Sequence, residues 1–237
     1  VQYVLKLILV ISLALSSAGQ QQTSPNYVGA GLLGVMKILA NAKLSGSLVY
    51  SGNCPAGFTP APPAFQAPGS TGGSPLQQLR EMITDNSPLQ VKQDEQGLIR
   101  FFEPSVPDDL LSVKIKHIAF DGSGTFWRGG VYSPSDAVRI IVRSPEVLAF
   151  AKAHHIESTL FSGAMGVPGN LEGQWPANQP RITGSLENVT VQEALDHVLT
   201  TFHGVWAYEN CPAANDKPRT IWVGFFGLDQ SGFGVVE

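Results

Sequence analysis

Val191, Ala194, Leu195, Val198 and Leu199 fall at i, i+3, i+4, i+7 and i+8, one apolar stripe along a helix of 3.6 residues per turn. In front of the stripe, Thr190-Val191-Gln192-Glu193 forms a capping box, a threonine N-cap answered by a glutamate three residues on. A strand is expected before this helix at 182–189 and two after it at 205–210 and 220–226. The same kinds of element are expected near the front of the chain. Leu32, Val35, Met36, Leu39 and Ala40 give a helical pattern over 29–44, weakened at its start by Gly29, Gly31 and Gly34. A strand over 47–53 follows. Ser74-Pro75-Leu76-Gln77 opens a short helix with serine at the N-cap and proline at N1, and strands follow at 89–93 and 98–103.

The middle of the chain alternates between 110 and 120, with Leu111, Val113, Ile115 and Ile118 set against Lys114, Lys116 and His117. That pattern predicts a half-buried strand with a bulge near His117. Ser133-Pro134-Ser135-Asp136 and Ser144-Pro145-Glu146 start two helices with a break or kink at Pro145. The expected fold class is α+β: repeated βαββ-like units, with small mixed or antiparallel sheets packed on amphipathic helices.

The chain suggests an internal duplication. Asn53-Cys54-Pro55-Ala56 recurs as Asn210-Cys211-Pro212-Ala213, and these hold the two cysteines of the sequence. Each copy ends a short apolar run that follows a helical stretch and a glycine, Gly46 or Gly204. Cys54 and Cys211 are expected to bond to each other; two buried thiols are the other reading. The bridge would close a loop of about 158 residues and contribute about 5 kcal/mol on the chain-entropy model.

Such a bridge needs an oxidising compartment, and the first residues supply a route to one. Lys6, the apolar run 7–15 and Ser16-Ser17-Ala18 read as a secretory signal over 1–18 with cleavage near Ala18, so the protein is expected to be periplasmic or secreted. The alternative is an uncleaved anchor, although the run is shorter than the ~20 residues that span a bilayer. Three further segments follow. An N-terminal α+β unit covers 19–104 and contains a Pro/Gly-rich linker over 55–73. A middle segment at 105–180 carries two glycine-rich loops, and a C-terminal unit at 181–237 ends in a flexible tail. Once the signal is removed, no integral membrane segment is expected.

Composition narrows the function classes. Hydrophobic residues make 43% and charged ones 14% of the chain, with a formal net charge of −4. That is globular rather than disordered, and the lack of a basic stripe argues against nucleic acid as a partner.

The run 181–199, Arg-Ile-Thr-Gly-Ser-Leu-Glu-Asn-Val-Thr-Val-Gln-Glu-Ala-Leu-Asp-His-Val-Leu, resembles the STN module, the short N-terminal domain of secretins and of signalling TonB-dependent receptors. A strand before a capped Glu-Ala-Leu helix and a following aromatic strand, Val205-Trp206-Ala207-Tyr208, carry the likeness, which extends over about 181–226. A weaker copy is suggested at 74–103. The resemblance implies a periplasmic α+β module that binds other proteins and catalyses nothing. No secretin or receptor barrel follows here, so an adaptor or a component associated with such machinery is what it implies.

The search for chemistry leaves the catalytic, metal and cofactor assignments empty. Glu193 and His197 lie at i, i+4, but a zinc-protease helix needs two histidines at that spacing; a surface pair is expected. No nucleophile elbow, calcium loop or phosphate loop occurs. Asp94-Glu95 and Asp108-Asp109 are expected as solvated turns. The candidate binding residues are aromatics in the glycine-rich loops: Phe126, Trp127 and Arg128 in one, Trp175 in the other. Aromatics so placed can anchor a protein or stack on a sugar ring, or fold down onto the core. The leading expectation is an exported, non-enzymatic interaction module of the bacterial cell envelope with a protein partner. A glycan or peptidoglycan binder is the alternative, and an envelope hydrolase the second alternative.

Overall fold

All eight residues of the strand Gly204–Cys211 are buried, as happens when both faces of a strand are covered. This strand lies inside the sheet that organises the molecule. The computed structural model describes residues 30–52, 63, 65–67, 72–121, 130–131, 133–157, 180–213 and 218–228. Helix α1 (Ala30–Ala42) precedes β1 (Gly46–Ser51). Then come α2 (Pro75–Glu81), β2 (Gln90–Gln93), β3 (Ile99–Phe102) and β4 (Lys114–Ala119). Helices α3 (Pro134–Val142) and α4 (Pro145–Ala153) and the two-residue β5 (Ile156–Glu157) follow. The chain continues through β6 (Ser185–Thr190), α5 (Val191–Thr201), β7 (Gly204–Cys211) and β8 (Arg219–Gly227).

The main sheet has the order β2-β3-β1-β7-β8-β5, and β4 pairs with β6 in a separate two-stranded sheet. Strands β3, β1 and β7 are parallel to one another, and β2 and β8 run antiparallel to their neighbours β3 and β7. The protein is therefore α+β, with a mixed sheet.

Side chains of alternate phase build two cores. Leu48, Tyr50, Ile99, Phe101, Val205 and Ala207 pack with Leu32, Val35 and Leu39 of α1 and Leu79 of α2. Trp206, Tyr208, Ile221 and Val223 pack on the opposite face with Val138 and Ile141 of α3, Leu195 and Val198 of α5, and Ile115 and Ile118 of β4. The capping box at α5 forms as its sequence demands: Thr190 Oγ1 accepts from Glu193 N, and Glu193 Oε2 accepts from Thr190 N. At Pro145 the two helices part, with Arg143 and Ser144 between them.

The apolar runs that lead into the two tetrapeptides pair. β1 and β7 pair in parallel from Gly46↔Val205 to Ser51↔Asn210, so the two strands run side by side toward the same end of the sheet. The strand order does not repeat, however. After β1 the chain crosses over through α2 and β2 to β3, whereas β7 turns back directly into β8. β6, the strand before α5, pairs with β4 and not with β7.

Two local readings change. The glycines that weaken the start of α1 seat another segment: a Cβ on Gly31 would lie 2.1 Å from the Phe65 carbonyl oxygen, and one on Gly34 would lie 2.7 Å from the Met82 methyl carbon. Phe65, part of the proline-rich stretch, bridges to Ile83, and its ring meets Phe101 edge-on at 5.7 Å. The described part of the linker is thus strapped across α1 and α2. The bulge expected near His117 is an interruption of the ladder at Lys116, where register is kept on both sides but Lys116 and Asn188 do not pair. Asn188 takes a left-handed φ of 54°, and the Lys116 amide donates to Glu146 Oε1 instead. Among the described residues, no helix is long and apolar enough to cross a membrane.

Candidate functional site

Glutamate has no place on the apolar phase of a core strand unless something answers it. Glu209 follows Val205 and Ala207 in phase on β7, is 2% exposed, and stands opposite Tyr50 in register. The Tyr50 hydroxyl donates to Glu209 Oε2 at 3.2 Å. Glu103, just past β3 and also buried, accepts the Ser51 amide at 3.2 Å. Glu103, Tyr50 and Glu209 therefore sit side by side at the carboxyl edge of three parallel strands. Burial, then the charge of and hydrogen bond to Glu209, then the charge of Glu103 push the Tyr50 phenol far above its ordinary range, so it remains a hydrogen-bond donor. Gly52 closes this row: its amide donates to the Asn210 carbonyl at 2.9 Å, and a Cβ there would lie 1.8 Å from Glu209 Oε1.

Around the other face of the same edge runs a second polar set. Arg219 makes a forked pair with Asp109, Nη1 to Oδ2 at 2.6 Å and Nη2 to Oδ1 at 2.8 Å. Its Nε donates to Asn210 Oδ1 at 2.6 Å, and Nη2 also donates to the Tyr208 hydroxyl at 3.2 Å. The hydrogen bond from Arg219 holds the Asp109 carboxyl below its usual range, against the opposing effect of burial. Burial keeps the Tyr208 phenol well above its own, although the Arg219 charge pulls the other way.

A third set ties α5 to the sheet. Arg100, at a buried position of β3, forks onto Asp196, with Nη1 to Oδ1 at 2.6 Å and Nη2 to Oδ2 at 2.8 Å. It also reaches Asp94 and Ser47 Oγ. Trp206 Nε1 donates to the same Asp196 Oδ1 at 2.8 Å. Burial works against the Arg100 charge, and the bonds and charges of Asp196 and Asp94 outweigh it, raising the guanidinium further above its ordinary range.

These sets revise several sequence expectations. Asp94 and Asp109 are not merely solvated turn residues: Asp94 anchors the buried Arg100 and Asp109 the half-buried Arg219. Glu193 serves its capping box rather than a pair with His197, whose ring lies 6.1 Å from that of Phe120. His117 pairs across the ladder with Glu187 at 2.5 Å. Cys211 is disulfide-bonded, while Cys54 lies outside the described residues. The candidate binding residues Phe126, Trp127, Arg128 and Trp175, and the signal segment 1–18, also lie outside them. Among the described residues, no group of three or more histidine, cysteine, aspartate or glutamate side chains is placed to hold a metal ion.

The sequence did carry one signal for the missed residues. Glu209 within Val-Trp-Ala-Tyr-Glu-Asn and Arg100 within Ile-Arg-Phe-Phe are ionisable groups inside strand runs. Their identification as buried groups required only the phase of the strand. Their partners, being distant in sequence, required the fold. No family model, no curated protein and no solved structure matches the chain.

Proposed function

We propose that the chain is an exported, non-enzymatic protein-interaction module of the bacterial cell envelope, an adaptor or component associated with secretin- or TonB-type machinery. The observation that carries this reading is how the buried Arg100 and the half-buried Arg219 are employed. Arg100 spends its fork on Asp196 and Asp94, and Arg219 spends its own on Asp109, Asn210 and Tyr208. Groups saturated in this way fix elements to one another and have little capacity left for a substrate. The STN-like pattern over 181–226 supports the same reading from the sequence, and Cys211 in a disulfide agrees with an oxidising compartment. Affinity capture with in-cell crosslinking in the envelope of the producing bacterium tests it. A specific, saturable protein partner is expected, and its consistent absence under conditions where the protein is exported overturns the reading.

One observation favours a second reading, an envelope hydrolase: Glu103 and Glu209 flank a protonated phenol at the carboxyl edge of parallel strands, where α/β sheets commonly place their ligands. Glu103→Gln and Glu209→Gln separate the two. A hydrolase loses turnover on peptidoglycan fragments with the fold intact, and a structural pair changes stability alone.

A further inference from the structure

Among the described residues, the outer strand edges differ in how far they are guarded. β5 has two residues and pairs with only Arg219 and Thr220 of β8, so beyond Thr220 no described strand lines the outer side of β8. The outward Lys116 amide of β4 is taken by Glu146 Oε1. β6 is bent by the left-handed Asn188, and its Thr190 amide is taken by Glu193 Oε2, which leaves only Ser185 and Glu187 ahead of the bend. β2, the other end strand of the main sheet, is four residues long, and it carries a lysine, Lys92, which the β8 edge beyond Thr220 lacks. The ladder fixes which of its groups face out. The Asp94 amide donates to the Leu98 carbonyl at 3.0 Å, and the β2–β3 register pairs Lys92 with Arg100 and Gln90 with Phe102. Even-numbered residues therefore bond inward, and the amides and carbonyls of Val91 and Gln93 point away from the sheet. Lysine often guards such an edge, but Lys92 is laid over the Phe102 ring, 5.0 Å from its centroid.

We infer that β2 accepts an extended segment of a partner protein as a seventh strand, with apolar and acidic side chains alternating along it. The inference rests on the interaction-module reading and names the partner chemistry for it. Strand addition supplies affinity through main-chain bonds to Val91 and Gln93, and specificity through the two faces. Next to Val91, which belongs to the α1–α2 core, the incoming side chain is apolar. Beside the exposed ammonium of Lys92 it is acidic, because Asp94, just past β2, is already neutralised by Arg100.

The test is an amide NMR titration of the intact protein with two synthetic octapeptides, one alternating valine and glutamate and one alternating valine and lysine. The glutamate peptide is expected to shift the Val91 and Gln93 amides most and to slow their hydrogen exchange at least tenfold, with the lysine peptide weaker. Gln93→Pro removes an outward donor and no internal ladder bond, so it weakens the glutamate peptide about tenfold or more while the melting temperature holds. Lys92→Glu reverses the preference between the peptides. Shifts centred on Ser185 and Glu187, indifference to Gln93→Pro, or equal binding of both peptides overturns the inference, as does a dimer of the free chain that Gln93→Pro abolishes. If a cellular partner is captured equally by the wild type and Gln93→Pro, the edge is wrong and the interaction-module reading stands. If neither captures one, that reading fails as well.

Discussion

Replacing Arg100 by methionine isolates the network that ties α5 to β3. The arginine side chain is 11% exposed, and its partners Asp196 and Asp94 are 12% and 22% exposed. Breaking a buried pair by removing one member typically costs about 3–5 kcal/mol, because the surviving charge is left unanswered. Here the survivors are not bare: Asp196 keeps the Trp206 indole N–H, and Asp94 keeps the amides of Gln96 and Leu98. The loss should therefore lie near the lower end, about 3 kcal/mol, in a molecule whose total stability is of the order of 5–15 kcal/mol. Urea unfolding followed by tryptophan fluorescence measures it, with an unchanged slope and a lower midpoint expected. Adding Asp196→Leu to Arg100→Met should recover part of the loss, since two apolar groups remove the stranded charge. A single-variant loss below about 1 kcal/mol, the size typical of exposed pairs, would refute the claim that this network anchors α5.

The remaining predictions concern ionisation and the covalent tie. Of the five tyrosines in the chain, Tyr50 and Tyr208 have phenols raised by burial; ultraviolet titration should show both ionising only as the protein unfolds. Because their folded pKa lies above the unfolded value of about 10, their stabilisation is complete below that pH and is lost as pH climbs beyond it. Asp109 has the opposite sign: its depressed folded pKa gives stability that is present above about pH 4 and falls away in more acid solution. Asp109→Asn should flatten the acid limb of a midpoint-against-pH plot; an unchanged limb counts against the Arg219 fork. Non-reducing peptide mass spectrometry should recover Cys54 and Cys211 in one crosslinked fragment, and recovery of an alkylated Cys54 from the native protein would break that pairing.

Local signals were the legible ones. The capped helix α5, the break at Pro145 and the strands β7 and β8 are set by periodicity and capping within a few residues, and they form where those patterns put them. Pairing is not local. Nothing in 182–189 told that strand to join β4 instead of β7, because its alternating pattern fits either partner. The two-residue β5 carries too little pattern to register. Gly31 and Gly34 were read for what they cost a helix, whereas close approach by Phe65 and Met82 is what they permit. Asp94 and Asp109 resembled exposed turn acids because their arginines lie six and 110 residues away, and only the fold brings them together.

A photo-crosslinking residue at Gln90, an exposed position of β2, puts the account to its most direct test in the envelope of the producing cell. A discrete adduct with one envelope protein is predicted, and it should vanish when Gln93→Pro is added in the same chain. No adduct from position 90 while a crosslinker at Glu187 captures a protein, or an adduct that survives Gln93→Pro, would contradict it.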